Sequence, residues 1–562
     1  MRIKSLSRYF LTGLSALCVL CSVGCGGTSF QKKPAIPDDR QPIPEPKTQH
    51  INIAADIIAK QFADQLEQSL DLSRQLRNLT GKRKQAYNID SFGEVPNSSW
   101  FTNRNAHERL SVDEVRRGPD TETGPPATGT WTVIRAKTEG VTPGFHIEDS
   151  RGEKYVMKFD PKGYSELATG AELVGTKLFH AAGYNVPENY LVWFDPSVLK
   201  IGSNVEITDK EGRQRLMQTS DLQEILERIE KQSDGRIRAV ASRYVRGKLK
   251  GPFYYIGTRD DDPNDFIPHQ HRRELRGLRV MAAWLNHFDT KANNTLDVYD
   301  PAGFIKHYLI DFGSTLGSQG DEPMPPYIGY EESVDIHEIL KSTASLGMFV
   351  EPWEKVGGIT YPAIGHYRSY DFKPERYKFI LPNPAFELMT HRDGYWGAKM
   401  VMSFSDEQIR AAVSTAQYSN PEAAEYLIRT IIERRDIIGQ YWFEKMPPLD
   451  FFAVEPLENK DVISFRDLAI DWGVGDPEKR AYRYVLQSGS HVFASGEVDV
   501  ANLAVLLPSI SDFEQNKQKQ YLHLQVFAKT SQNGAWSQAV HAFMEPDKVS
   551  GQFRLAGVQR EE

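Results

Sequence analysis

Cysteine is scarce in this chain of 562 residues: Cys18, Cys21 and Cys25 are its three, all within the first 25 positions. The remainder can form no disulfide, no thiolate zinc site and no cysteine nucleophile. Folding therefore falls to core burial, which a chain of this length can supply. Excess basic charge is missing as well. The formal net charge is −8, with lysine and arginine spread along the chain rather than pooled. That argues against a nucleic-acid partner, because phosphate backbones call for a basic face. There is no G-x-S-x-G elbow, no H-E-x-x-H helix, no Walker phosphate loop and no internal repeat, which sets aside the hydrolases, zinc peptidases and solenoids those patterns mark. What is present is ordinary globular composition, 40% hydrophobic and 25% charged, enough for about two to four domains.

Long hydrophobic runs are missing too. Arg2, Lys4 and Arg8 precede an apolar stretch from Phe10 to Leu20, too short to span a bilayer comfortably. It ends in SVGCGG, where Gly24 before Cys25 resembles a bacterial lipoprotein signal, although Ser22 stands where leucine is commonest. The resemblance implies a signal segment over residues 1–25 and a mature chain starting at a lipid-modified Cys25. It implies a place in the bacterial cell envelope, at the outer membrane on its periplasmic side or surface. An uncleaved anchor helix is the alternative. Residues 26–50 are polar and proline-rich and predict an extended tether. Apolar positions from Ile53 to Leu79 recur at helical spacing before Gly81, which predicts an amphipathic helix within an N-terminal extension over 51–127.

From Gly129 the period changes. WTVIRAK (131–137), GFHIEDS (144–150) and EKYVMKFDP (153–161) alternate apolar and polar residues across two turn signals, predicting three antiparallel strands. A helix over 166–183 closes at Gly183, and VPENYLVWFDP predicts a fourth strand. Residues 200–270 mix a hairpin, a helix and strands. RRELRGLRVMAAWLNHF (272–288) carries one apolar helical face, and DEQIRAAVSTAQ and PEAAEYLIRTIIERRDIIGQYW predict later helices. From about residue 451, five segments alternate at period two with turns between them, predicting a small antiparallel β-sandwich.

The chemistry concentrates in HFDTKANN (287–294) and in the IDFG that ends at Gly313. Phosphoryl transfer needs a group to orient and deprotonate the attacking hydroxyl, oxygen ligands for Mg²⁺ and a fixed cation against the phosphates. Asp289 is a candidate base. Lys291 is positioned to reach the transferred phosphate. Asn294 offers an amide oxygen and Asp311 a carboxylate to a metal. Lys158, on the third strand, is a candidate phosphate cation, and Glu172 on the following helix a candidate partner for it.

HFDTKANN resembles the H-x-D-x-K-x-x-N catalytic loop of protein kinases, and IDFG their metal-binding motif. The texture of EL…LFHAAGYNVPE is similar to atypical branches, the HipA-type, CotH-type and secretory-pathway kinases. The resemblance covers roughly residues 128–440. It implies an α+β, bilobal protein-kinase-like fold, with a small lobe over 128–200 and a large lobe over 201–450. The N-terminal helical extension and a C-terminal β-sandwich over 451–562 lie outside it. It implies Asp289 as base, Lys291 on the phosphate, Asn294 and Asp311 on Mg²⁺, and Lys158 with Glu172 on ATP. The turn KTEGVTPG, with Gly140 and Gly144, takes the place of the phosphate-covering loop. Asn293 and Glu166 are the alternatives to Asn294 and Glu172. The chain departs from the pattern in three ways: the loop lacks G-x-G-x-x-G, Phe288 replaces the usual arginine, and there is no A-P-E. The last two put phosphorylation control of an activation loop, and the usual peptide-docking surface, in question.

The expected function is a Mg²⁺·ATP-dependent phosphotransferase, lipid-tethered, acting on a hydroxyl of a protein, sugar or lipid acceptor. An inactive kinase-like scaffold is the alternative, favoured by the scarcity of ATP outside the cytoplasm. TRDDDPND (258–265) lacks the glycine and closing glutamate of a calcium loop and predicts a solvated turn. His269 and His271 have no further ligand at suitable spacing and are expected to be structural.

Overall fold

A computed structural model describes residues 30–50, 83–136, 144–208, 213–331, 352–457, 460–529 and 534–562. Cys25 with its signal segment, the expected helix over 51–80 and Gly140 with most of its turn lie outside the described residues.

The first layer is built from alternation. Strands β1 (Trp131–Ala136), β2 (Gly144–Glu148) and β3 (Lys154–Phe159) form an antiparallel meander. Trp131, Val133, Phe145, Ile147, Tyr155, Met157 and Phe159 supply its buried face. Helix α2 (Leu167–Ala182), preceded by the short capped α1 (Val112–Arg117), leads into β4 (Asn189–Phe194). Strand β5 (Leu199–Ile201), the hairpin β6 (Glu206–Thr208) and β7 (Gln214–Leu216), and α3 (Thr219–Glu227) follow. Then β8 (Ile237–Arg243) inserts between β3 and β4, giving the sheet order β4-β8-β3-β2-β1-β5. Every residue of β8 is buried. The small-lobe sheet and its core thus take chain as far as residue 243, well past residue 200. The stretch reads as strand in the sequence, but a strand covered on both faces does not alternate, and nothing local says which sheet it joins.

The second layer holds the three-stranded sheet of β9 (Lys248–Gly251), β10 (Thr295–Tyr299) and β11 (Ile305–Leu309). Beneath it pack α4 (Arg273–Trp284), α5 (Pro384–Glu387), α6 (His391–Met402), α7 (Asp406–Ser414) and α8 (Pro421–Lys445). Trp284, Trp396, Leu427, Ile431 and Ile438 lie in their common core, which also takes in Val174 and Leu178 of α2.

The tail is the expected antiparallel sandwich. One sheet contains β12 (Leu449–Leu457), β13 (Lys460–Asp467) and β16 (Ala504–Leu506). The other has the order β15-β14-β17-β18-β19, from β14 (Ala481–Ser488), β15 (His491–Val498), β17 (Leu522–Lys529), β18 (Val540–Asp547) and β19 (Gln552–Arg560). Leu449 and Ile463 of the first face Leu486, Leu524 and Val526 of the second in one core. The α+β layout expected from the sequence, two lobes followed by a sandwich, is what the structure shows.

Residues 30–50 correct the expected tether. They run as a strap along the folded body. Ile43 N–H donates to the Gly303 carbonyl at 2.8 Å, and Gln49 N–H to that of Lys250 at 2.9 Å. The Asp39 carboxylate accepts from the Ser99 amide and hydroxyl, both at 2.8 Å. Phe30 stacks on Phe543 of the sandwich at 4.3 Å. Five prolines between 34 and 46 preset an extended backbone. Such a backbone has no internal hydrogen bonds, so it suits a solvated linker and a docked strap equally well.

No helix among the described residues is long and apolar enough to cross a membrane.

Candidate active site

The meander fixes the first group. On β3, Met157 and Phe159 point into the sheet's core, so Val156 and Lys158 take the opposite face, toward α2 and the large lobe. The Lys158 ammonium meets the Glu172 carboxylate at 2.9 Å and Asp311 Oδ1 at 3.0 Å. Glu172 is fully buried. The Asn189 amide donates to Glu172 Oε1 at 2.9 Å and to the Thr176 hydroxyl at 2.7 Å, so β4 fixes the carboxylate from behind. Burial alone would pull the lysine's pKa down. Asp311 and Glu172 outweigh it and hold the pKa above the ordinary value, so the ammonium stays charged.

Asp311 reaches the lysine because its backbone is left-handed, φ +67°. Such a conformation costs a residue with a Cβ and clusters at functional sites. The next residue, Phe312, is fully buried beneath α2 and stacks on Phe179 at 4.8 Å. Gly175 leaves room for it: a Cβ there would stand 2.9 Å from that of Phe312.

The second group follows α4. After Asn286, also left-handed (φ +55°), the chain turns through residues 287–294 into β10. Asn294 donates from its amide to the Asp289 carbonyl at 2.7 Å and to Asp289 Oδ2 at 3.0 Å. The Lys291 ammonium meets the same carboxylate at 3.0 Å. Asn383, at the head of α5, donates to the Thr290 carbonyl at 3.2 Å. His287 is buried, and that burial lowers its pKa and keeps it neutral beside the Ser314 carbonyl.

The two groups are joined by backbone. Ile310 N–H donates to the Asn294 carbonyl at 3.0 Å, and Thr295 pairs with Leu309 in the β10–β11 register. Asn294 therefore sits beside the residue that precedes Asp311. A cavity of about 320 Å³ opens where the chain crosses from β8 to β9. Lys158 and Asp311 line its polar end, and Val156, Val245, Leu249, Leu296 and Ile310 its apolar part. That is near the lower bound of small-ligand pockets, roughly 300–1,000 Å³. The donor set suits Mg²⁺: one carboxylate and one amide oxygen, both hard, with no cluster of three or more His, Cys, Asp or Glu among the described residues. Magnesium takes few protein ligands when phosphates supply the rest.

Lys158, Glu172, Asp289, Lys291, Asn294 and Asp311 are thus all brought to the junction of the two sheets. Glu172 meets Lys158, while Glu166 turns away and accepts from the Ser419 amide at 3.0 Å. Gly144 opens β2 opposite Lys158 in the β2–β3 register. The acidic turn folds inward: Asp265 accepts from the Arg259 amide and from His269, both at 2.7 Å. His271 accepts from Arg276 at 2.7 Å. Sequence reasoning missed Asn189 and Asn383, which position Glu172 and the loop. It also missed His146 and Tyr244, which hydrogen-bond across the cavity mouth. Short polar residues bonding across distant segments leave no periodic signal; the strand after Val-Pro was the one cue to Asn189.

Fold and site together define an α+β chain of two lobes followed by a β-sandwich. No family model matches it, and no curated protein does. Among solved structures it is similar to the Helicobacter pylori proinflammatory kinase CtkA, with a TM-score of 0.31 and 13% identity over 57% of this chain and 99% of that one. It is also similar to the Golgi casein kinase with Mn/ADP bound, with a TM-score of 0.26 and 11% identity over 69% and 90% of the two chains. A second Golgi casein kinase structure gives 0.26 and 10% over 73% and 94%.

Proposed function

We propose that the chain is a Mg²⁺·ATP-dependent phosphotransferase acting on an acceptor hydroxyl. The observation that carries this is the Lys158–Glu172–Asp311 group at a half-apolar cavity, tied through the Ile310 N–H to Asn294 carbonyl bond to the neighbouring Asp289–Lys291–Asn294 group. Val156 and Leu296 would take the faces of the base. Lys158, fixed by Glu172, would hold the phosphates. Asp311 and the side-chain oxygen of Asn294 would hold Mg²⁺, which when bound neutralises phosphate charge. Asp289 orients the acceptor hydroxyl and accepts its proton. The hydroxyl oxygen bonds to the γ-phosphorus as the bond to the β-phosphate oxygen breaks, and ADP leaves. Lys291 pairs with Asp289 in the ground state and would follow the transferred group. We further propose that Cys25 is lipid-modified and that the enzyme acts in the bacterial cell envelope, on a protein, sugar or lipid hydroxyl.

The test is thermal unfolding of the full chain with Mg²⁺ and ATP, alongside ADP release. A ligand that binds the folded state raises the melting temperature. Asp311→Asn should abolish that rise. Asp289→Ala should retain it and lose turnover about 10²–10⁴-fold. A rise without turnover on any acceptor, water included, would favour the inactive scaffold. No rise at all would end the nucleotide reading.

A further inference from the structure

The three-stranded sheet of the second layer has two faces, and the cleft cavity uses one of them. Leu249 of β9 and Leu296 of β10 line the cavity. Side chains alternate along a strand, so Lys248 and Lys250 of β9, and Asp297 and Tyr299 of β10, take the opposite face. The strap of residues 30–50 crosses that face. The Glu45 carboxylate meets the Lys250 ammonium at 2.6 Å through one oxygen and Lys248 through the other. The Tyr299 hydroxyl donates to the Ile43 carbonyl at 2.8 Å. The Arg259 guanidinium meets Asp297 at 3.0 Å and donates to the Lys47 carbonyl, joining sheet to strap.

Strand β9 needs that backing. It has four residues and lies at the edge of its sheet, and so short an edge strand is weakly held by its ladder alone. Its register with β10 also shifts: Asp297 pairs with Gly251 and Val298 with Leu249, so β10 skips Lys250. The strap takes up the skipped residue. Gln49 N–H donates to the Lys250 carbonyl at 2.9 Å. Lys250 is 5% exposed, and among the described residues its one carboxylate ion-pair partner is Glu45. A buried ammonium stripped of its counter-charge is costly, so the body is built to carry the strap. Gly251 fits the same crossing, because a Cβ there would collide with the Gln49 carbonyl.

We propose that Glu45 and Gln49 are positioning residues for the cleft: they hold β9 from behind, fix Leu249 in the cavity wall, and so set how tightly the cavity takes its nucleotide. The hold on the wall stands without the phosphotransfer reading; the effect on nucleotide affinity rests on it. Packed layers pass a displacement on to their neighbours. A gap of about 1 Å forfeits up to about half of the attraction between the atoms that face it. Lys158 is fixed from α2 and Asp289 by its own loop, so loosening β9 weakens binding and leaves the chemical step alone.

The experiment compares the full chain with Glu45→Ala and with Gln49→Pro, which removes the donor N–H. Amide exchange is read on the empty protein, and ATP with Mg²⁺ is titrated by calorimetry. Glu45 is exposed and Gln49 half-buried, both on extended chain, so both variants should fold. The amides of residues 248–251 should exchange several-fold faster in each, while those of β2 and β3 keep their rate. ATP should bind about fivefold more weakly or worse. With turnover in hand, KM for ATP should rise and kcat stay unchanged. Glu45→Gln keeps an acceptor for Lys250 and should fall between. Unchanged exchange in both variants overturns the hold on the wall. Faster exchange with unchanged ATP affinity, or a fall in kcat with KM unchanged, overturns the link to the cleft and leaves the strap a structural clamp. If the unsubstituted chain takes up no nucleotide, the phosphotransfer reading falls, and exchange at residues 248–251 still decides whether the strap holds the wall.

Discussion

Lys158 and Lys399 are each gripped by two carboxylates, in two very different places. Lys399, on α6, is 5% exposed and meets Glu94 and, at 3.1 Å, Asp450. Arg560 of β19 meets the same Asp450 at 3.1 Å, and the Tyr395 hydroxyl donates to it at 3.0 Å. That network stitches the N-terminal extension, the large lobe and the sandwich together. In both lysines burial pulls the pKa down and the carboxylates more than restore it. The direction of the shift therefore does not tell them apart. What does is the outer face: the Lys158 side chain is 21% exposed and Asp311 is 48% exposed, both onto a cavity. A perturbed lysine marks a site where a ligand can reach its partners, and a rivet where none can.

The same substitution on the two sides breaks or sharpens that contrast. Asp450→Asn carries the largest expected loss, about 3 kcal/mol in denaturant unfolding. It leaves Lys399 and Arg560 buried against each other with only Glu94 in reach. Nucleotide-induced stabilisation of the folded remainder should be unchanged. Burial pushes the Asp450 pKa up, but Arg560 and Lys399 outweigh it and hold it well below the usual carboxylate range. Its contribution is therefore complete above the unfolded value of about 3.9 and fades as pH falls below that. The variant should lack this part of the acid limb. A loss under about 1 kcal/mol would show that the junction is not riveted by charge.

None of this junction was legible in the sequence, whereas most of the cleft was. Asp289, Asn294 and Asp311 sit at short spacings, and Lys158 sits on a strand whose period is plain. One strand carries Lys158, and one loop and one hairpin carry the rest. Glu94, Lys399, Asp450 and Arg560 lie on four separated segments and meet only through tertiary packing. The same reason hid the sheet partners of β8, which reads as strand but is claimed by β3 and β4 only through tertiary pairing, and Asn189 behind Glu172. The strap was misjudged because proline-rich extended chain has one composition whether it docks or dangles.

The strap offers a further break at the junction. Phe30 is 8% exposed against Phe543 and Tyr521. Phe30→Ala should cost about 2 kcal/mol and loosen residues 30–50 from the sandwich, read by faster amide exchange at Ile43 and Gln49. Retained protection there would show that the hydrogen bonds to Gly303 and Lys250 hold the strap without the aromatic anchor.

The sandwich should answer to pH where the cleft does not. Burial, with His541 beside it, lowers the His523 pKa from 6.5 to about 3. The unfolded chain takes up the proton first, so stability is full above pH 6.5 and falls as pH drops toward 3. The expected slope from this residue is about 1 kcal/mol per pH unit below pH 6. His523→Gln should flatten the unfolding midpoint between pH 6.5 and 4. An unchanged slope would mean the proton is taken up elsewhere.

The smallest effect on stability should come from the partner substitution, Asp311→Asn. Asparagine tolerates the left-handed backbone that Asp311 adopts, so the turn into Phe312 is kept. Lys158 retains Glu172, and a half-exposed carboxylate gives up little when water already screens it, so the expected change is under about 1 kcal/mol. The rise in melting temperature with Mg²⁺ and ATP should nevertheless vanish, because an amide supplies one weakly held oxygen where a charged one is needed. Asp450→Asn and Asp311→Asn thus predict opposite patterns, stability lost with binding kept and binding lost with stability kept. If Asp311→Asn instead unfolds the chain as readily as Asp450→Asn does, its ion pair is a rivet too and the cleft loses its claim to a nucleotide.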